Sequence, residues 1–557
     1  DIKMIRLFEQ HHIRQVQELD GMWEFRMEGF EGEYQLPVPG CWEQHPDFLA
    51  HRGRGEYRKK IYVKNAGNLR LEFKGVSHTA DVSFDGKAIV SHYNAFTPFS
   101  AVIADVEKGE HELRIAVDNT FGEHSALHIP NDYYTYGGIT RPAAVEYIPD
   151  TYIKNIRFTP QLTCGRWSAE TEVFVCNVSE REMEISLEVK LAGCCMEKTV
   201  TVGAGCEERL VFAMEFDEVQ AWSNAQPALY FLQAVLSVNG EPTDDLIERV
   251  GFRTVTLDGS KIMVNGEAVY LKGFNRHEDY ASVGCAIPLQ LMAQDMELMQ
   301  EAGANALRTC HYPNDERFLD LCDERGILVW EENHARGLGL ESMQNPNFDR
   351  QCEDCIREMI ENHYNHPSII IWGILNECAS ETEEGREKYA RQYAQIKSMD
   401  ASRPTTSATC RHFTDISLDL PDIVSFNMYS GWYQDCSVEE RNRQETDWIK
   451  AAGGAGKPII VSELGAGAIY GYRDRSRCKW SEERQADIIR ENLEVYMNDD
   501  DITGVFIWQF ADCRVTEEGQ WFASRARCHN NKGVVDEYRR PKIAFDTVKE
   551  IFTTTRV

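Results

Sequence analysis

No stretch of the 557 residues approaches the ~18 consecutive apolar residues of a membrane span. The opening run DIKMIRLFEQHHIRQVQ has no apolar core of the kind a signal peptide carries. These absences lead us to expect a cytoplasmic protein with no membrane partner. Basic residues are scarce: 59 Lys and Arg stand against 90 Asp and Glu, a net charge of −31. Such a chain repels nucleic acid and anionic bilayers, so neither is an expected partner. A small anion is not excluded, because a local basic cluster can work inside an acidic protein. Cysteine is plentiful at 17 but unorganised. Cys194 and Cys195 are adjacent, and Cys352 and Cys355 are CxxC-spaced only within a helical run. Neither a zinc site nor a disulfide framework follows, and reduced thiols are expected. No internal repeat, low-complexity segment or Gly-rich phosphate loop is visible, so no metal and no cofactor is expected.

What is present is globular. Hydrophobic residues at 42% and charged residues at 27% rule out a largely disordered chain. A core rarely grows beyond about 250–300 residues, so this length implies two to four domains. Residues 1–150 alternate apolar and polar positions in short runs such as GMWEFRM, LRLEFKGV and HELRIAVDN. Asp85-Gly86 separates two runs as a hairpin turn does. An antiparallel β-sandwich is predicted. Residues 151–255 continue in the same style and predict a second sandwich of immunoglobulin-like size. From 256 to 557 the pattern changes to apolar strands alternating with helical segments. LQLMAQDMELMQEAG ends at Gly303, and DERFLDLCDERG ends at Gly326. The βα alternation predicts a (β/α)8 TIM barrel, whose catalytic face lies just beyond the strand C-termini.

Three strand ends on that face carry reactive groups. IIIWGILNEC places Asn376 and Glu377 after an apolar strand, PIIVSELGAG places Glu463 after another, and GVFIWQFAD ends on Trp508 and Asp512. Two carboxylates facing one cavity are what glycoside hydrolysis requires: one protonated to release the departing oxygen, one ionised to attack carbon or activate water. Acidic strand ends also serve as metal ligands or salt-bridge partners, so the pair alone leaves those readings open.

The order of motifs narrows them. VPGCWE and YGGITRP in the first domain, then GFNRHED, NALRTCHYP, LDLCDERGILVWEE, HPSIIIWGILNEC and SELGAG in the barrel, resemble glycoside hydrolase family 2. The likeness runs over nearly the whole chain. The family's fold is a jelly-roll-like sandwich, an immunoglobulin-like sandwich and a TIM barrel, in that order. The resemblance implies Glu377 as acid/base and Glu463 as nucleophile, with retention of configuration, and Asn376 on the sugar 2-hydroxyl. Within the family the chain is most similar to the β-glucuronidase (β-hexuronidase) group. FNMYSGWY then implies Asn427 and Tyr429 beside the nucleophile, with Tyr433 reaching toward a uronate carboxylate. HNNKGVV implies Asn530 and Lys532 as its binders. Asp132, from NDYYTYGGITRP, reaches into the barrel mouth to accept sugar hydroxyls. His311 and His277 line the pocket, and Trp508 forms its apolar floor.

One position departs from that group. VWEENHARGLGLE puts Arg336 where a small or apolar residue is usual. It is either a solvated loop arginine or an inward charge that chooses between glucuronate and galacturonate, which differ only at C4. The loop it begins is short, which implies a site open to varied aglycones. The expected activity is therefore an exo-β-hexuronidase acting on a small-molecule glycoside, a uronic acid conjugate or oligosaccharide. The alternatives are a β-galactosidase of the same family and a non-catalytic carbohydrate-binding protein. A flavin at a surface site has no phosphate loop to support it. Relatives assemble as dimers to hexamers, so a homo-oligomer is expected.

Overall fold

The computed structural model describes residues 5–517 and 524–554. In the first sandwich a four-stranded antiparallel sheet faces a six-stranded one. Alternation drives this: in Gly21–Met27 the side chains of Trp23, Phe25 and Met27 point inward and their neighbours outward. Their core partners include Trp42, Phe48 and Tyr57. Asp85 and Gly86 both take positive φ (50° and 77°) between the strands Thr79–Phe84 and Lys87–Tyr93, as a tight hairpin turn requires. The second sandwich has seven strands between Thr151 and Val250, in sheets of three and four.

A three-stranded antiparallel sheet, Val255–Val269, then packs into the N-terminal end of the barrel with Leu271, Trp330 and Phe506. The barrel strands are Leu271–Asn275, Ala306–Arg308, Leu328–Glu332, Ile369–Gly373, Val424–Asn427, Ile459–Leu464 and Ile502–Ile507, plus one interrupted strand. That strand, Thr405–Thr406 with Ala408–Thr409, supplies both ends of the nine-membered sheet order and so closes the ring. Its unit departs from the expected alternation. Only turns connect Thr409 to Val424. The helix Glu316–Arg325 ends where the sequence predicts, at Gly326, whose φ of 72° forms a left-handed cap.

The domains are joined by buried charge. Arg6 donates through Nε and Nη2 to Asp320 on the helix Glu316–Arg325 (2.9 and 2.8 Å). Arg141 of YGGITRP donates from Nη2 to both oxygens of Glu278 (3.0 and 3.2 Å) and to Pro313 O (2.9 Å) in the barrel. The glycines of that motif serve packing: a Cβ on Gly137 would stand 2.1 Å from the Trp42 ring. This lets the strip 131–139 leave the sandwich and enter the barrel mouth.

Glu43 supports the strip from beneath. It accepts hydrogen bonds from Gly137 N (2.7 Å) and Asn119 Nδ2 (3.4 Å), and its Oε2 is buried without a partner. Burial pushes its carboxyl from 4.5 up to about 8. The folded state therefore holds a proton that the unfolded chain releases. Stability from this group is complete below 4.5 and is lost as pH rises through about 8, at up to about 1.4 kcal/mol per pH unit. Glu43→Gln should remove that part of the slope. Denaturant titrations at several pH values check it; identical slopes for variant and parent contradict it.

Candidate active site

The C-terminal face of the barrel is organised around Arg308, at the end of the second strand. Its guanidinium is fully buried. Nη1 donates to Glu463 Oε2 (2.8 Å) and Asn275 Oδ1 (2.8 Å). Nη2 donates to Asn376 Oδ1 (2.9 Å) and Glu332 Oε2 (3.1 Å). These partners come from four other barrel units, so one planar cation sets their relative positions.

Glu463 lies in the strand Ile459–Leu464 and is held by three donors. Besides Arg308, Asn427 Nδ2 donates to Oε2 (2.9 Å) and Tyr429 Oη to Oε1 (2.5 Å). The same Asn427 Nδ2 donates to Glu377 Oε1 (2.8 Å). The two carboxylate oxygens it bridges are thus no more than about 5.7 Å apart, the sum of those distances. Ser462 Oγ donates to Asn427 Oδ1 (2.7 Å) and fixes the orientation of the bridging amide.

Glu377 follows the apolar strand Ile369–Gly373 through a strained turn. Leu375 and Glu377 both sit in the left-handed region, with φ of 42° and 53°. Such residues cost about 1–3 kcal/mol each and persist only where their surroundings impose them. Here Asn376 N donates to Ala335 O and Glu377 N to Ala408 O. The turn aims Glu377 at Glu463, and Asn376 Nδ2 remains buried without a partner.

A cavity of about 390 Å³ opens above this pair. Asp132, Arg336, Glu377, Tyr429, Glu463 and Lys532 line it, with Tyr433, Trp508 and Arg525 at its sides. Asn376, Asn427, His311 and Asn530 stand behind the wall. His311 stacks on Trp508 (centroids 5.1 Å, planes 16° apart). Burial holds His311 well below its ordinary value and pushes His277 down to about 3, so both are neutral orienting groups. Asn530 Nδ2 donates to Asp132 Oδ2 (2.9 Å). Asp512, the third acidic strand end, is engaged by Lys542 Nζ (2.8 Å) away from the cavity. Arg336 points inward: Nη1 donates to Asn131 Oδ1 (3.2 Å), and Nη2 lies 4.0 Å from Glu377 Oε2 and 3.9 Å from Asp132 Oδ2. That settles the alternative left open by the sequence against a solvated loop arginine.

Three contributors escape the sequence reading. Arg525 binds Asp132 through Nε and Nη2, both at 2.8 Å. Arg308 and Glu332 form the buried layer beneath Glu463. A charged residue inside the apolar run NALRTC was the available signal for Arg308. Nothing in the periodicity marks Arg525. For metals, His277, Cys310 and His311 bring ligand atoms within 4.8 Å of one another. Arg308 Nη2 stands 3.4 Å from His311 Nδ1, so a cation there would face a guanidinium.

The electrostatics separate the carboxyls. Burial and the Glu377 charge push Glu463 up, while Arg308 and the Tyr429 hydroxyl favour its ionised form. Burial pushes Glu332 from 4.5 to about 7, against Arg308. Despite the cost of burying it, Asp132 lies below its ordinary value because Arg525 binds it.

Residues 255–557 match the profile described as "Glycosyl hydrolases family 2, TIM barrel domain". Residues 151–253 match "Glycosyl hydrolases family 2", and residues 49–157 its "galactose-binding domain-like" profile. The chain belongs to glycosyl hydrolases family 2. It is an enzyme of that family, a glycoside hydrolase. This hydrolase is 48% identical to a GH2 beta-galacturonidase from Eisenbergiella tayi whose crystal structure holds galacturonate. The TM-score is 0.97, covering 99% of this chain and 100% of that one. It is 26% identical to the beta-glucuronidase of Sus scrofa, over 97% of this chain and 91% of the other. A Ruminococcus gnavus beta-glucuronidase, solved with D-glucaro-d-lactam, is 26% identical with TM-score 0.86 and 98% coverage of both chains.

In this hydrolase Glu332 and Glu463 share the Arg308 cation. Burial keeps Glu332 protonated up to about 7, so Glu332→Gln reproduces its neutral form at acidic pH. The acidic limb of kcat/KM, which reports the free enzyme, should therefore stay in place, with any change confined to pH above about 7. A pH–rate profile of the variant checks this; an acidic limb that moves contradicts it.

Proposed function

We propose that this hydrolase removes a terminal β-linked hexuronate from a conjugate or oligosaccharide by double displacement with retention. One observation carries the uronate assignment. Lys532 is buried at the cavity wall, and among the described residues it makes no ion pair: its Nζ donates to Tyr433 Oη (2.7 Å). Burial and the neighbouring Arg525 hold this ammonium below its ordinary value, against the more distant Asp132 charge. A buried cation without a counter-ion is costly, and a sugar carboxylate would supply one. The balance agrees. Among the described residues, three cations (Arg336, Arg525, Lys532) and three carboxyls (Asp132, Glu377, Glu463) line the cavity. With Glu377 protonated as the acid, one positive charge is left for a monoanionic sugar.

Glu463 would attack the anomeric carbon while Glu377 protonates the departing oxygen. Glu377 would then deprotonate the water that cleaves the glycosyl ester. The separation bounded by Asn427 supports retention, for which carboxyls stand ~5–5.5 Å apart rather than the ~6.5–9.5 Å of inverting enzymes. Asn376 Nδ2, buried without a partner behind the cavity wall, would take the 2-hydroxyl. Asp132 would take hydroxyls at C3 or C4, and Tyr433 and Lys532 the carboxylate. Asn530 would act through Asp132, which it touches. Arg336, within 4 Å of both Glu377 and Asp132, would choose between the C4 epimers. The similar proteins described above include both glucuronidases and a galacturonidase.

Initial rates on nitrophenyl β-glucuronide, β-galacturonide and β-galactoside test the reading. Uronides should be favoured; a preference for the galactoside contradicts it. Lys532→Met should lower uronide kcat/KM by about 10²–10³-fold, since losing one partner of a buried charge pair costs about 2–5 kcal/mol. Arg336→Ala should change the galacturonide-to-glucuronide ratio, and an unchanged ratio rejects its role.

A further inference from the structure

The barrel loop 276–287, after the strand Leu271–Asn275, is held between two segments that build the cavity. On one side is the strip carrying Asp132: Tyr136 Oη donates to Asp279 Oδ2 (2.9 Å). On the other is the segment that follows Asn530 and Lys532. There Arg539 Nη2 donates to Asp279 O (2.7 Å), and Ala281 N donates to Glu537 O (3.2 Å). The loop therefore spaces the hydroxyl-binding side of the cavity from its carboxylate-binding side.

Two thiols from different domains meet against this loop. Cys41 Sγ of the sandwich lies 3.6 Å from Cys285 Sγ of the loop, in an apolar cluster with Tyr134 and Tyr136. Hydrogen-bonded backbone presents both. Gly40 N donates to Ile139 O and Trp42 N to Gly137 O, while Tyr280 and Gly284 exchange N–H···O bonds. Cys41 is buried and Cys285 half-buried. Neither belongs to the cavity.

We propose that Cys41 and Cys285 form an oxidisable pair, closed by a small-molecule disulfide into an interdomain bond that locks the Asp132 strip to the barrel loop. The half-buried Cys285 thiolate attacks the reagent disulfide, forms a mixed disulfide and expels one thiolate. The Cys41 thiolate then attacks Cys285 Sγ and expels the second. The protein loses two protons and two electrons, and the reagent leaves as two thiols. The sulfurs close from 3.6 Å to the ~2.05 Å of a disulfide. The bond constrains the unfolded chain over the long segment between the two residues. The hydrogen bond to Cys41 and burial hold the Cys285 thiol well above its ordinary value, so closure is slow at neutral pH and faster at alkaline pH. Exposed Cys164, Cys195, Cys206 and Cys436 react first.

The test incubates the full chain with oxidised glutathione at mildly alkaline pH, alkylates remaining thiols and maps peptides by mass spectrometry without reduction. The expected product is a Cys41–Cys285 cross-linked peptide that dithiothreitol releases. A melting temperature several degrees above that of the reduced protein should accompany it. Cys285→Ser and Cys41→Ser, treated identically, should show neither. Recovery of Cys41 in alkylated form after exhaustive oxidation overturns the proposal. So does a glutathione adduct that stops on Cys285, or a melting shift that the variants share.

Discussion

Arg308 carries a full charge buried away from bulk solvent. Isolated, such a guanidinium would be prohibitively unfavourable; between Glu332 and Glu463 it becomes the centre of a compensated network. Removing either acid would leave charge unbalanced, so the Glu463 carboxylate is fixed by electrostatics as much as by packing. Asn275, Glu332, Asn376 and Glu463 belong to different barrel units and converge on it, and the strained turn at Glu377 completes the set. The two carboxyls can sit close together because Arg308 and Tyr429 bind Glu463 while Asn427 bridges it to Glu377.

The same logic governs the far wall. The molecule is acidic overall, at −31, yet its cavity gathers three cations against three carboxyls. Surface charge is screened beyond a Debye length of about 8 Å at physiological salt, so it sets which polyanions and surfaces are repelled. Affinity for a small anion depends on the buried groups instead. Arg525 and Asn530 pin Asp132, and Tyr433 takes the Lys532 hydrogen bond.

Much of this was legible from sequence because burial writes itself as pattern. Alternation in GMWEFRM fixed which side chains point inward, and an apolar strand ending in Asn-Glu located Glu377. Gly326 marked a helix end through its backbone requirement. The βα rhythm carried no sign that the segment after Thr409 would form turns instead of a helix. Arg525 and Glu332 were unreadable because their roles arise from contacts between distant segments: Arg525 meets Asp132 only when the sandwich strip enters the barrel. Arg336 could be marked as unusual, but its inward aim depends on Asn131, from another domain.

The central claim is that a carboxylate pair held within about 5.7 Å by Asn427 hydrolyses a uronide in two displacements. The most direct measurement is proton NMR of the first hexuronate released from a β-uronide, recorded before mutarotation. Double displacement predicts the β-anomer first. Initial release of the α-anomer would mean a single displacement by water and would contradict the account.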